Sequence, residues 1–67
     1  KTFFLNDTRW VDSAVQKHAK ADRVRIPFGS DAYFDLIAAN PAVRHWLSLG
    51  AEVEFHWNGK IYEVHQP

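Results

Sequence analysis

The chain has 67 residues, of which 15% are aromatic and none is cysteine. The absence of cysteine excludes a disulfide framework and a cysteine-based zinc site, so aromatic side chains must compensate for the small core of so short a chain. Eight basic and eight acidic residues give zero net charge, so no whole-chain field favours nucleic acid, and no apolar run approaches the ~20 residues of a membrane span.

The first predicted element is a β-hairpin over TFFLNDTRWVDS, residues 2–13. An aromatic-rich run and an Arg-Trp-Val run flank the polar pair Asp7-Thr8, and a two-residue loop at that pair would place Leu5 opposite Trp10. Such loops require positive φ, which aspartate tolerates and β-branched threonine resists. A longer turn is therefore the alternative at this position.

Two segments of different character follow the hairpin. Residues 14–23 show neither helical nor strand periodicity, and we expect a loop with at most one helical turn. Residues 24–28, VRIPF, alternate apolar and other side chains and predict a strand. Because Pro27 lacks an N–H, this strand should lie at the edge of a sheet or end there.

The segment GSDAYFDLIAAN has the clearest helical pattern in the chain. Ser30 or Asp31 suits the N-cap position of this helix. The apolar residues Phe34, Ile37 and Ala38 follow at helical spacing and are the predicted core-facing side.

A second short helix is predicted directly after the first. Asn40-Pro41 ends the first helix and starts the next, because proline suits the first helical position. In the segment PAVRHWLSLG, Val43, Trp46 and Leu47 repeat the helical spacing. Two short helices that meet at Asn40 are therefore expected.

The closing segment EVEFHWNGKIYEVH, residues 52–65, predicts a second β-hairpin. Asn58-Gly59 between alternating runs is the strongest short hairpin signal, because a type I′ turn needs positive φ at both central residues. With that turn, four apolar side chains share the core-facing side: Val53, Phe55, Tyr62 and Val64. The opposite side then carries a row of polar residues.

Together these elements predict a small α+β domain with the order β-β-β-α-α-β-β. Its two hairpins and one further strand pack against two short helices, or curl into a small, partly open barrel. The chain starts at Lys1 rather than at methionine, and we expect residues 1–67 to be a single module cut from a longer protein.

A pattern of turns, helix caps and aromatic residues extends over most of the chain. It comprises a hairpin ending in Trp-Val-Asp-Ser, a helix starting with Ser-Asp-x-Tyr-Phe, and a closing hairpin with Asn-Gly before a tyrosine. The residues that carry the pattern are Trp10, Val11, Asp12, Ser13, Ser30, Asp31, Tyr33, Phe34, Asn58, Gly59 and Tyr62. The pattern resembles the short C-terminal module of some bacterial surface or secreted proteins that pair a VIT domain with a von Willebrand factor A domain. Relatives of the inter-alpha-trypsin inhibitor heavy chains have that arrangement.

The resemblance implies an accessory module of an extracytoplasmic, adhesion-type protein, and hence a location outside the cytoplasm or at the cell surface. Thr8 stands where the pattern has glycine. The metal-ion adhesion residues of the A domain lie elsewhere in those proteins, so the resemblance transfers no metal ligand to this chain.

The polar side of the closing hairpin carries a dense group of titratable residues. Glu54 lies opposite Glu63, and like charges opposite each other destabilise a hairpin. Protonated His56 and His65 are the local candidates for neutralising the two carboxylates. Protonation near ~pH 6 would then stabilise the hairpin. These four residues are also weak candidates for a zinc-type site, although no metal or other cofactor is predicted from their spacing. The alternative is a solvated face, and Ile61 in the middle of the row indicates that part of it is covered.

A basic stretch over residues 17–25 offers nucleic-acid binding as an alternative function. Four basic side chains lie in it: Lys17, Lys20, Arg23 and Arg25. Trp10 and Phe28 could provide stacking for single-stranded bases. The neutral net charge and the lack of a nucleic-acid-binding motif favour a solvated loop instead.

Nothing in the sequence predicts catalysis, because no base is placed beside a serine and a small chain has little room for a pocket of ~300 Å³ or more. We expect a non-catalytic accessory or interaction module that binds other domains of the parent protein, or a protein partner, through sheet edges or exposed aromatic residues. Pro27 marks one edge, and the outer strand of the closing hairpin is a second candidate. Trp10 and Trp57 are the aromatic candidates for contact.

Overall fold

Five strands and three short helices make up the fold, which a computed structural model describes for residues 1–67. The strands are β1 (Phe3–Asn6), β2 (Arg9–Asp12), β3 (Asp22–Pro27), β4 (Val53–Trp57) and β5 (Lys60–His65). The helices are α1 (Ala14–Lys17), α2 (Asp31–Ala39) and α3 (Val43–Leu47). The predicted α+β class is confirmed, and α1 is the single helical turn allowed within residues 14–23.

All five strands form one open sheet with the order β1-β2-β4-β5-β3. The two hairpins, β1–β2 and β4–β5, are antiparallel, whereas β2 pairs with β4 and β3 pairs with β5 in parallel. The closing hairpin therefore lies at the centre of the sheet, and β1 and β3 are its edges. The expectation of an edge at the closing hairpin was wrong, because β2 and β3 cover its two strands. Pro27 does lie on an edge strand, as predicted.

Both hairpin turns have two central residues, and both hairpins have the predicted register. Asn58 and Gly59 have φ angles of 52° and 78°, which is the type I′ pattern. In the first turn only Asp7 has a positive φ, of 58°. Thr8 thus avoids the backbone region that β-branched residues resist, which is why the short loop forms.

The larger core lies between one face of the sheet and helices α2 and α3. Its buried residues are Ile26, Leu36, Val43, Leu47, Val53, Phe55 and Val64. The ring of Phe55 lies 5.4 Å from that of Tyr62 and 5.2 Å from that of Trp46, measured between centroids. The closing hairpin therefore points its apolar side inward, as predicted. None of the three helices has the length and apolar character needed to cross a membrane.

Helix α2 turns a different face to the core from the one predicted. Its N-cap is Ser30, whose Oγ accepts a hydrogen bond from the backbone N–H of Tyr33 at 3.3 Å. Leu36 is buried, whereas Phe34 is 59% exposed and Ala38 is also exposed. Tyr33, Leu36 and Ile37 have the same i, i+3, i+4 spacing as the predicted set, so periodicity could not choose between the two faces.

A second, smaller core lies on the opposite face of the sheet, beneath α1. Val11, Val15 and Ile61 are buried there, with Ala21 packed against them. The polar side of the closing hairpin is therefore partly covered rather than solvated along its whole length. Ile61 was the residue that indicated this cover in the sequence.

Buried Asp12 fixes the connection between β2 and α1. Its carboxylate accepts hydrogen bonds from the backbone N–H of Ala14 at 3.0 Å, the backbone N–H of His56 at 3.1 Å and Nζ of Lys1 at 2.6 Å. Burial would raise the pKa of Asp12, but these donors lower it below its usual value. The side chain thus satisfies backbone donors on two elements while it stays charged.

Candidate functional site

The polar row is neutralised by arginine rather than by its own two histidines. Nη1 of Arg23 on β3 lies 3.1 Å from Oε2 of Glu54 and 2.9 Å from Oε2 of Glu63. Nη1 of Arg9 on β2 lies 3.9 Å from the same oxygen of Glu54. The predicted neutralisation by histidine was wrong, because the parallel pairing of β3 with β5 brings a permanently charged guanidinium to both carboxylates.

These four charged residues connect strands β2, β4, β5 and β3 across one face of the sheet. Burial raises the pKa of Glu54, and the neighbouring Glu63 raises it further, whereas Arg23 and Arg9 lower it. The net direction is upward. The two arginines therefore hold the buried carboxylate of Glu54 next to that of Glu63. These four side chains connect the strands and do not form a free charged surface.

The two histidines of the row lie in different surroundings. Nδ1 of His65 lies 2.9 Å from the backbone oxygen of Gln66. The ring of His56 instead stacks on that of His18, with centroids 3.8 Å apart and planes 8° from parallel. No three histidine or acidic side chains lie close enough together to hold a metal ion. The four weak metal candidates therefore do not form one cluster: Glu54, His56, Glu63 and His65.

The basic stretch does not form one continuous basic surface. Arg23 is occupied by two carboxylates, whereas Arg25 is exposed on β3 and makes no ion pair. Lys17 and Lys20 also lack an ion pair and lie around a separate depression in the surface. The structure therefore divides these residues among three surroundings.

That depression, called the α1 concavity below, lies between the end of α1, the loop that follows and the tip of the closing hairpin. It has a volume of about 640 Å³. The expectation that so short a chain has little room for a pocket of ~300 Å³ or more was therefore wrong, because the depression is an open one at the surface and takes no space from the core. Its lining residues are Gln16, Lys17, His18, Ala19, Lys20, Ala21, His56 and Gly59. No acidic residue lines it. No local sequence pattern predicted this grouping, because only the tertiary fold brings His56 to His18.

The two edges of the sheet differ in what they expose. Strand β1 has the uncharged sequence FFLN, and the side chains of Phe4 and Leu5 are 41% and 56% exposed. The backbone N–H of Ser13 donates to the oxygen of Thr2 at 2.9 Å, which sets the alternation of the antiparallel ladder. By that alternation the backbone N–H and C=O of Phe3 and Leu5 point away from β2. The β1 edge therefore offers unpaired backbone groups between exposed apolar side chains.

The aromatic candidates Trp10 and Trp57 are both half-buried and pack against the larger core. The more exposed aromatic residues are others. Phe28 and Phe34 both contact the ring of Tyr33, with centroids 5.1 and 5.2 Å away. Together with Phe4 and Leu5 on β1, these phenylalanines are four of the five exposed large hydrophobic residues, and the fifth is Leu49.

No protein-family model, no curated protein and no solved structure matches this chain. The resemblance to the module of VIT and von Willebrand factor A proteins therefore stays a prediction.

Proposed function

We propose that the chain is a non-catalytic interaction module of a larger protein and that it binds an extended segment of a protein partner along β1. The observation that carries this proposal is the open β1 edge. An added strand would continue the ladder through the outward backbone groups of Phe3 and Leu5. Its side chains would alternate between Phe4 on one face of the sheet and Leu5 on the other.

The chemistry of β1 supports recognition because it lacks the features that protect edge strands from pairing. Natural edges commonly carry lysine, other charges, proline or a bulge. Strand β3 has three charged residues and Pro27 within the sequence DRVRIP, whereas β1 has none of these. Its hydrogen-bonding groups and apolar side chains are accessible together.

The surroundings of Ser30 and Ser48 support a non-catalytic role. Oγ of Ser30 accepts a hydrogen bond from a helix N-terminal N–H, and Oγ of Ser48 donates to the backbone oxygen of His45 at 2.7 Å. Neither hydroxyl contacts an imidazole nitrogen. These contacts cap or close helices and leave no activated nucleophile there.

The resemblance to modules of extracytoplasmic bacterial proteins extends this proposal to a biological setting. In that setting the partner strand belongs to a neighbouring domain of the parent protein or to a second surface protein. Nucleic-acid binding through residues 17–25 has less support, because Arg23 is bound to Glu54 and Glu63.

Selection of random-sequence peptides displayed on phage against the intact chain tests the proposal. We expect the enriched peptides to alternate apolar residues and to lack proline in their central positions. The substitution Leu5→Pro should weaken their binding at least about tenfold, because it removes an outward N–H and puts a ring in the path of the added strand.

The matched control is Phe34→Ser, which removes an exposed aromatic side chain from α2 and leaves β1 unchanged. It should bind the selected peptides like the wild type. Thermal melts establish that both variants fold. Equal binding by wild type and a folded Leu5→Pro variant, or loss of binding in Phe34→Ser, would contradict the assignment of β1.

A further inference from the structure

Unpaired positive charge gathers at the α1 concavity although the chain is neutral overall. Lys1, Arg9 and Arg23 all make ion pairs with carboxylates elsewhere on the sheet. Lys17 and Lys20 make none, and both line the concavity, which contains no acidic residue. The local field of the concavity therefore favours an anion.

The stacked imidazoles add hydrogen-bonding capacity to the same place. His18 and His56 both line the concavity, and neither ring takes part in a hydrogen bond with the protein. Their ring nitrogens are not buried without a partner, so they remain accessible to a ligand. Gln16 supplies an amide group in the same lining. The lining thus combines two ammonium groups, two imidazoles and an amide.

The close stack also opposes a positive charge on His56. The ring of His18 lies 3.8 Å from that of His56 between centroids, and it is one of the groups that disfavour a proton on His56. Partial burial lowers the pKa of His56, and His18 and Lys1 lower it further, with Asp12 acting in the opposite direction. A bound anion would relieve this repulsion.

The groups that face His56 come from each element packed around it. The region of α1 contributes Lys17, His18 and Lys20, and the N-terminal segment contributes Lys1. The carboxylate of Asp12 on β2 is already used by three donors. On β5 the cross-strand neighbour is the apolar Ile61. Lys17 and Lys20 therefore lack a counter-charge near His56, and a multivalent anion would supply it.

We propose that the α1 concavity binds a small phosphate-type oxyanion through Lys17, Lys20 and the imidazoles of His18 and His56, and that binding is coupled to proton uptake. A tetrahedral dianion accepts hydrogen bonds from several directions, which suits donors spread around an open depression. Free phosphate and a small phosphate monoester share this chemistry. Nucleic acid is disfavoured because Arg23, the next basic residue along the chain, is already bound to two carboxylates.

Titration of the intact chain with sodium phosphate, sodium sulfate or glycerol phosphate, at constant ionic strength set with sodium chloride, tests this site. Amide and imidazole NMR signals report the binding. Sulfate stays dianionic across the range, so its pH dependence isolates protonation of the protein. We expect sulfate affinity to rise severalfold from about pH 7.5 to about pH 5.5. The largest changes in NMR chemical shift on binding should be those of His18 and His56. Comparing phosphate with glycerol phosphate distinguishes the free ion from an ester.

The variant Lys17→Gln/Lys20→Gln should weaken sulfate binding about tenfold or more, and His56→Gln should remove most of its pH dependence. Lys60→Gln is the matched control, because Lys60 is exposed near the hairpin tip but does not line the concavity. Melting curves confirm that each variant folds. Equal sulfate binding by the double variant and the wild type, or an affinity that does not change with pH, would overturn the proposal.

An oligonucleotide arm separates this site from the nucleic-acid alternative. A mixed-sequence oligonucleotide should bind no more tightly than a phosphate monoester, and Arg25→Gln should leave both affinities unchanged. Much tighter oligonucleotide binding that depends on Arg25 would overturn the small-ligand proposal. Because none of these variants alters β1, failure here is distinct from failure of peptide binding at that edge.

Discussion

Strands β1 and β3 form the two edges of one sheet, but their side chains serve different purposes. On β3, Arg23 reaches across β5 to two carboxylates of the closing hairpin, and Pro27 limits further pairing. On β1, Phe4 and Leu5 remain exposed, and no charge protects the backbone. One edge contributes ion pairs that hold the sheet together, whereas the other exposes unpaired backbone groups and apolar side chains and is the edge that we propose for binding.

The difference shows why edge position alone does not identify a binding surface. An edge strand becomes a binding surface when its outward backbone groups and its side chains are both accessible. Strand β3 carries protective features instead, because its exposed side chains are charged and its Pro27 lacks an N–H. Substitutions on β1 and β3 should therefore have unequal effects on stability and association.

The largest effect is expected from proline at an inward position of β1. The N–H of Phe4 points toward β2, so Phe4→Pro should lower the free energy of unfolding by about 3 kcal/mol, through a lost ladder hydrogen bond and a steric clash. Leu5→Pro, whose N–H points outward, should cost about 1 kcal/mol or less. Urea unfolding curves measure both. Equal losses would show that the proposed alternation of β1 is wrong.

The next effect concerns the inward use of β3. Arg23→Ala leaves Glu54 and Glu63 opposite each other without their main counter-charge, and we expect a loss of about 1–2 kcal/mol, reduced by the partial exposure of the arginine. Arg25→Ala on the same strand removes a cation that has no ion pair and should cost less than about 0.5 kcal/mol. Chemical denaturation of both variants makes the comparison. A larger loss for Arg25→Ala would contradict the bridging role of Arg23.

A smaller effect distinguishes arginine from histidine as the neutralising group. The pKa of His56 is lowered below 6.5 in the folded chain, so the unfolded chain binds more protons as pH falls through that value. His56 should therefore lower stability modestly from about pH 7 to about pH 5.5, opposite to the trend expected from the sequence, whereas the raised pKa of Glu54 acts in the other direction. The variant His56→Gln removes only the histidine contribution, so it should lose less stability on acidification than the wild type. Thermal melts of both proteins at several pH values test this, and a variant that loses more stability on acidification than the wild type would restore the histidine interpretation.

The smallest effect on stability is expected when β1 is given a protective charge like those of β3. Phe4→Lys replaces an exposed side chain and should change the free energy of unfolding by about 0.5 kcal/mol or less. It should nevertheless reduce self-association at high concentration, because a lysine on an edge opposes strand pairing. Light scattering over a concentration series measures this effect. If the wild type self-associates and the variant does so equally, β1 is not the edge through which the chains pair.

Local signals predicted much of the fold because they depend on neighbouring residues. Asn58-Gly59 set the turn and register of the closing hairpin, and Ser30 marked the start of α2. The rotation of α2 could not be predicted, since two sets of apolar residues share one spacing and only contact with the sheet selects between them.

The candidate surfaces were harder to predict because they depend on strand pairings between distant segments. Arg23 meets Glu54 across 31 positions and Glu63 across 40 positions of the chain. The stack of His18 on His56 likewise requires α1 to lie against β4. No local pattern reports such pairings, so the sequence named the residues of the polar row but assigned the wrong counter-charge. The same limit left β1 unrecognised as an edge.

Amide hydrogen exchange by NMR, with and without a selected peptide, tests the proposed binding of a partner strand to β1 most directly. The amides of Phe3 and Leu5 should exchange rapidly in the free chain and become protected when the peptide binds, while protection along β3 stays unchanged. Protection that appears on β3 instead, or peptide binding that leaves Phe3 and Leu5 unprotected, would contradict strand addition at β1.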